Sequence, residues 1–249
     1  MNDAAANAAA VPGQLRVGTS GFLYDHWQGV FYPADLPKAR RFPFYATQFS
    51  SVEINATFYR LPAAAVFDGW REKAPPGFTY ALKFSRFCTH IKRLLAVAEP
   101  TREFVARARR LGPALGPILV QLPPHWHADP GRLREFLAAA PTDLRWAFEF
   151  RDPDWLRDEV FALLRAHNAA LCIHDLLPHY PRLLTADWTY LRFHGEHYGG
   201  SYSEADLRPA ADWLRGQLAA GHDAFAYFNN DADGFAAPNA ALLRRLATG

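Results

Sequence analysis

Short extended runs alternate with amphipathic segments along almost the whole chain, and this alternation restricts its folds more than any single motif does. The extended runs span residues 15–21, 51–59, 78–85, 118–122, 145–151, 170–175, 188–195 and 224–229. Helical signals fill the gaps. Ala63 to Lys73 is stopped by Pro75-Pro76-Gly77, and Glu99 to Leu111 puts Phe104, Ala108 and Leu111 on one stripe before Gly112-Pro113. Asp129-Pro130 supplies a cap and a first-turn proline for a helix through Ala139. Asp152-Pro153 opens another, with Leu156, Val160, Leu163 and Leu164 in register. Ser203 and Asp206 form a capping-box start, and Ala240 to Ala247 makes the last helix. Strand and helix taking turns with short connections indicates parallel strands, and eight of them close a barrel. The expected fold is therefore α/β, a single (β/α)8 barrel over residues 15–249, and the chain's 249 residues suit it. A doubly wound open sheet is the alternative, but no Gly-x-Gly-x-x-Gly follows the first strand. Residues 1–14, Ala-rich and without a basic start or long apolar run, read as a disordered leader.

Composition narrows the partners. A formal charge of +2 suits neither a histone-like nor an acidic protein. Between Lys38 and Arg93, however, ten Lys/Arg face only Glu53, Asp68 and Glu72. That excess would favour an anionic ligand or a nucleic-acid backbone, although ordinary surface solvation accounts for each charge singly. Cys88 and Cys172 are the only cysteines, which argues for a reducing, cytoplasmic setting without a disulfide framework. No run is long enough to cross a membrane, so no membrane partner is expected.

In a parallel barrel, chemistry belongs to the C-terminal strand ends and the loops after them. Those ends carry Thr19 and Ser20; Glu53, Asn55 and Thr57; Lys83 and Ser85; Gln121; Glu149 and Arg151; His174 and Asp175; Arg192 and His194; Asn229 and Asn230. Nearly every strand thus finishes in a side chain that ionises or hydrogen-bonds. The run Ser51 to Tyr59 alternates Glu53, Asn55 and Thr57 with apolar neighbours, as a strand lining the barrel would. Glu149 and Glu53 are candidate acid–base carboxylates, with Arg151 as tuner or anion clamp; Glu149 and Arg151 could equally be a structural ion pair. Lys83, facing a barrel interior, is a candidate Schiff-base or electrophilic residue, or else an ion-pair partner of Glu53. Asp175 is a further acid–base candidate. His174, Asp175 and His194 raise a divalent metal held with Glu149 as a minor alternative; adjacent strand residues point opposite ways, and no cofactor is predicted. The loop Tyr198-Gly199-Gly200-Ser201-Tyr202-Ser203, with Arg192, His194 and Asn229-Asn230 beside it, suits an anion or a polyol.

Several of these runs resemble the YecE-like family of uncharacterised TIM-barrel proteins. They are Val17 to Phe22, Val52 to Pro62, Thr89-His90, Gly116 to Pro124, Phe148 to Arg151, Arg192 to Gly195 and Tyr227 to Asp231. The similarity runs in order from about Leu15 to Leu246. It implies a TIM barrel and no particular reaction.

The functional expectation is an enzyme doing acid–base chemistry, hydrolysis or isomerisation, on a small anionic or polyhydroxylated substrate. Glu149, Glu53, Lys83 and Asp175 would act on it. Thr19, Ser20, Asn55, Thr57, Gln121, Arg151, Arg192, His194, Gly195, Asn229 and Asn230 would bind it. A nucleic-acid or nucleotide-binding barrel without catalysis is the second reading.

Overall fold

A computed structural model describes residues 11–195 and 198–249. Eight parallel strands follow one another around a barrel: β1 (Leu15–Thr19), β2 (Ser51–Ile54), β3 (Thr79–Lys83), β4 (Leu115–Gln121), β5 (Trp146–Glu149), β6 (Ala170–His174), β7 (Trp188–Phe193) and β8 (Asp223–Phe228). Helices α1 (Arg41–Gln48), α2 (Ala56–Tyr59), α3 (Ala64–Lys73), α4 (Ala98–Ala108), α5 (Pro130–Ala139), α6 (Asp158–Ala166), α7 (Glu204–Ala219) and α8 (Ala236–Thr248) lie on the outside. This is the (β/α)8 barrel that the alternation predicts. β1 pairs with β8 over its whole length, Leu15 opposite Ala224 and Thr19 opposite Phe228.

The local signals act as physical chemistry requires. Asp129 caps α5 by accepting from the Arg132 amide at 3.0 Å, with Pro130 in the first turn. Ser203 and Asp206 form a reciprocal capping box at α7. Outward strand residues such as Val52, Ile118, Phe148 and Leu191 pack on the helices, forming the larger core. Inward residues Ala81, Leu119, Ala147, Ala170, Cys172, Trp188, Tyr190, Phe225 and Tyr227 fill the barrel itself.

Two elements depart from expectation. The run 51–59 is extended only through Ile54; Asn55 has φ −89° and ψ −16°, and 56–59 turns into α2. A period of two over nine residues therefore hid a strand followed by a helical turn. Gly13 and Gln14 also belong to the barrel, since Gly13 donates to the Leu218 carbonyl at 2.8 Å and Gln14 to Asp223 at 2.9 Å. Residues 1–10 of the expected leader lie outside the described residues.

The β1–β2 seam is closed differently from the others. Its one regular bridge joins Ser20 to Glu53, with Gly21 donating to the Glu53 carbonyl at 2.8 Å. Below it, the Tyr45 hydroxyl from α1 sits between the strands. It accepts from the Thr19 amide at 3.0 Å and donates to the Ser51 carbonyl at 3.0 Å. Gly18 permits the approach: a Cβ there would fall 2.1 Å from the Ser51 carbonyl oxygen.

Candidate active site at the C-terminal mouth

Because side chains alternate, the first seven strands each send one late residue inward, and these form a polar layer over the apolar barrel filling. Ser20, Glu53, Lys83, Gln121, Glu149, His174 and Arg192 make up this layer. Arg192 is its centre. Only 2 % exposed, it donates through Nη1 to Glu149 at 2.6 Å and through Nη2 to Glu53 at 2.8 Å. Glu53 also accepts from the Ser20 hydroxyl and from the Tyr190 hydroxyl, both at 2.6 Å. Glu149 is paired a second time, with Arg151 Nε. Arg151 reaches on to Tyr198 at 2.9 Å and to His194 Nε2 at 3.5 Å.

These contacts set the charges. Burial would raise the Glu149 carboxyl, but the Arg151 and Arg192 guanidiniums outweigh it and hold the group well below the usual carboxylate range. Burial opposes the Arg192 charge in turn, and the two carboxylates more than restore it. Burial pushes His194 down to about 4, reinforced by Arg192, so its imidazole is neutral near pH 7. Burial and the neighbouring Glu149 carboxylate push the Cys172 thiol well above its ordinary range, which leaves it inert although its Sγ lies 3.8 Å from Glu149.

Lys83 stands apart. It makes no ion pair among the described residues, so the expected bridge to Glu53 does not form. The Glu53 oxygens are already taken by Ser20, Tyr190 and Arg192. Its Nζ instead lies 4.2 Å from the centre of the Phe58 ring. Burial and then Arg192 lower its ammonium to about 8. His90, absent from the sequence-derived site, packs on the other contact of Phe58 with ring centres 5.0 Å apart, and burial and Lys83 push it down to about 4.

The remaining expected residues divide. Gln121 is buried at the layer, opposite Glu149 in register. Asn229 contacts His194 Nδ1 at 3.2 Å. Thr57 holds the end of β3 by donating to the Lys83 carbonyl at 2.7 Å. Thr19 turns outward to the Tyr45 seam, donating to the Gly21 carbonyl at 2.6 Å, because it is the odd member of β1's alternation. Asn55 begins α2 and does not extend β2, so it leaves the row containing Glu53. Asp175 accepts from the His194 amide at 3.0 Å and from the Tyr202 hydroxyl, anchoring the β7–α7 loop away from the charged centre. Gly195, at φ 66°, donates to Tyr202 in the same loop, and a Cβ there would meet the Gly199 carbonyl at 2.1 Å. Asn230 is fully buried and joins that loop to α8 through Gly200 and Asn239.

Tyr190 and His90 are the contributors that sequence reasoning missed, whereas Tyr198 lies in the loop it singled out. Tyr190 had a usable signal, since it lies two residues before Arg192 on the same strand face. No such signal marks His90. His174 has both ring nitrogens engaged, with the Phe150 carbonyl at 2.8 Å and the Leu176 amide at 3.2 Å. Among the described residues no three His, Cys, Asp or Glu side chains gather as a metal-binding group. A separate cavity of about 470 Å³ opens at the opposite end of the barrel, beside Arg16, Arg145 and Asp223. There Arg145 and Asp223 pair at 2.8 Å, and no nucleophile or acid–base pair converges. The chemistry-bearing groups are at the C-terminal mouth.

Fold and site together define a TIM-barrel protein with a buried charged layer at its catalytic-type end. The chain belongs to the DUF72 family, described as protein of unknown function, which matches residues 16–249. A DUF72 family protein from Thermotoga maritima is 27% identical, with 95% of this chain and 100% of that one covered and a TM-score of 0.84. One from Enterococcus faecalis is 18% identical over 95% and 96% of the two chains, with a TM-score of 0.79. A mandelate racemase/muconate lactonizing enzyme from Bordetella bronchiseptica shares the fold at 14% identity, covering 96% of this chain and 60% of its own, TM-score 0.50. No curated protein matches the sequence. No helix among the described residues is long and apolar enough to cross a membrane.

Proposed function

We propose that this YecE-like barrel is an enzyme that binds a small anionic substrate at its C-terminal mouth and moves protons on it, in a hydrolysis or an isomerisation. One observation carries the reading: three cations, Arg192, Arg151 and Lys83, meet two carboxylates that are both saturated by donors. The layer keeps a net positive charge, and Lys83 is the cation without a described partner. A buried positive site without a counter-charge attracts a carboxylate or phosphate.

Glu53 and Glu149 then serve as the fixed counter-charges of Arg192 and Arg151. The Glu149 carboxyl, held well below its usual range, is a poor proton carrier near neutral pH. Lys83, lowered to about 8, is matched to that task. His194 and Asn229 line the same rim and would orient polar substrate groups. The nucleic-acid reading has less support: within residues 38–93, Lys38 and Arg41 pair with Asp25, and Arg71 lies 3.9 Å from Asp68.

Inorganic phosphate is the simplest probe. It should raise the melting temperature of the wild type in a saturable way, and the Lys83→Met, Arg151→Gln double variant should not respond. An equal response from both proteins would move the anion site elsewhere.

A further inference from the structure

The chain contains 23 arginines and only four lysines. Lys38, Lys73 and Lys92 are exposed; Lys83 alone stands within the barrel, at the end of β3. At the other cationic positions of the mouth, 151 and 192, the chain uses arginine, which cannot lose its proton and cannot act as a nucleophile. The amine is therefore singular in its chemistry as well as in its place.

We propose that Lys83 is a nucleophilic amine that condenses with the carbonyl of a small anionic aldehyde or ketone to form an imine. This rests on the anion-binding reading of the mouth and adds a covalent step to it. The geometry is what the reaction needs. Nζ lies against the Phe58 face at 4.2 Å, with no carboxylate within ion-pair distance among the described residues to hold the proton on nitrogen. Arg192 and Arg151 act on it from β7 and from the loop after β5, and Glu149 and Glu53 from β5 and β2. Both carboxylates are hydrogen-bonded to the guanidiniums, and their pull on the ammonium is outweighed by burial and Arg192. His90 flanks the same Phe58 ring at 5.0 Å as a neutral imidazole, so it adds no charge beside the amine near neutral pH. Thr57 fixes the Lys83 carbonyl at 2.7 Å and thereby the start of the side chain.

The step balances without another reactant. The nitrogen pair attacks the carbonyl carbon, and the π pair moves to oxygen, which takes a proton. The carbinolamine then loses that oxygen as water while the C=N bond forms. Net, the two hydrogens of the departing water are those the amine nitrogen gives up.

Reductive trapping tests it on the full-length protein. Glyoxylate, an anionic aldehyde, and acetaldehyde, a neutral one, are each added with cyanoborohydride near neutral pH, and adducts are mapped by peptide mass. Glyoxylate should label Lys83 at least about tenfold faster than Lys38, Lys73 or Lys92, which serve as internal standards. Phosphate should slow that labelling, and Lys83→Arg should abolish it while leaving the other three rates unchanged. Labelling of Lys83 no faster than the exposed lysines with either aldehyde overturns the proposal, even if phosphate stabilises the fold and the anion site stands. Fast labelling by both aldehydes, indifferent to phosphate, supports the imine and removes the anion site instead.

Discussion

Arg192 bridges two buried carboxylates and is the sole cation paired with Glu53 among the described residues. Breaking such a contact costs more than the contact itself is worth, because charges are stranded in a low-dielectric interior. Arg192→Ala should therefore lower stability by about 3–5 kcal/mol in urea unfolding. Combining Arg192→Met with Glu53→Gln and Glu149→Gln should recover much of it, and a failure to recover would mean that the ions themselves specify the barrel. Lys83 behaves oppositely. Its folded ammonium sits at about 8 against 10.5 for an ordinary lysine, so between these values the unfolded chain binds the extra proton. Stability should rise as the pH climbs from 8 to 10.5. Lys83→Met should accordingly stabilise near neutral pH by on the order of 2 kcal/mol, with the gain fading across that window. A pH-independent difference between variant and wild type would contradict the burial of this charge.

At the scale of elements, β1 and β2 are joined largely by a side chain. The Tyr45 hydroxyl stands in for a ladder bond between Thr19 and Ser51, which makes α1 part of the barrel closure. Tyr45→Phe should cost about 1–3 kcal/mol by leaving a buried donor and acceptor unpaired. Amide exchange at Thr19 should quicken more than that at Tyr227, which lies on the regularly paired β8. Uniform exchange across both would show that the seam is not the weak point. The β7–α7 loop is pinned in a similar way, by Asp175, Tyr202, Asn230 and Asn239. Several residues that read as substrate-binding are therefore occupied with holding their own loop.

For the molecule as a whole, burying neutral imidazoles creates an acid liability. His194 and His90 are pushed by burial to about 4, and His174 is lowered by burial as well. As the pH falls from 6.5 towards 4 the unfolded chain takes up protons that the folded one refuses, so stability declines through this range. Glu149 adds a later loss of the same sign: its folded carboxyl lies well below the ordinary 4.5, so its stabilisation is complete above 4.5 and is lost as the pH falls through the folded value. The urea midpoint should fall steadily from pH 7 to 4, and His194→Asn should flatten the upper part of the fall. A level midpoint over that range would rule the histidines out as its cause. Much of this molecule was legible in one dimension. Alternating strand and helix signals define the barrel, since hydrophobic periodicity and capping are local and each segment declares its own. Period-two reading also places Glu53, Glu149, Lys83 and Arg192 on the inner row. What the chain could not declare is which partner each ion would take. Glu53 and Arg192 are 139 residues apart, and only closure of the sheet brings them to 2.8 Å. That closure saturates the two carboxylates and leaves the lysine uncommitted, because strand register and tilt, set by the whole ring of eight, decide which side chains touch across the mouth.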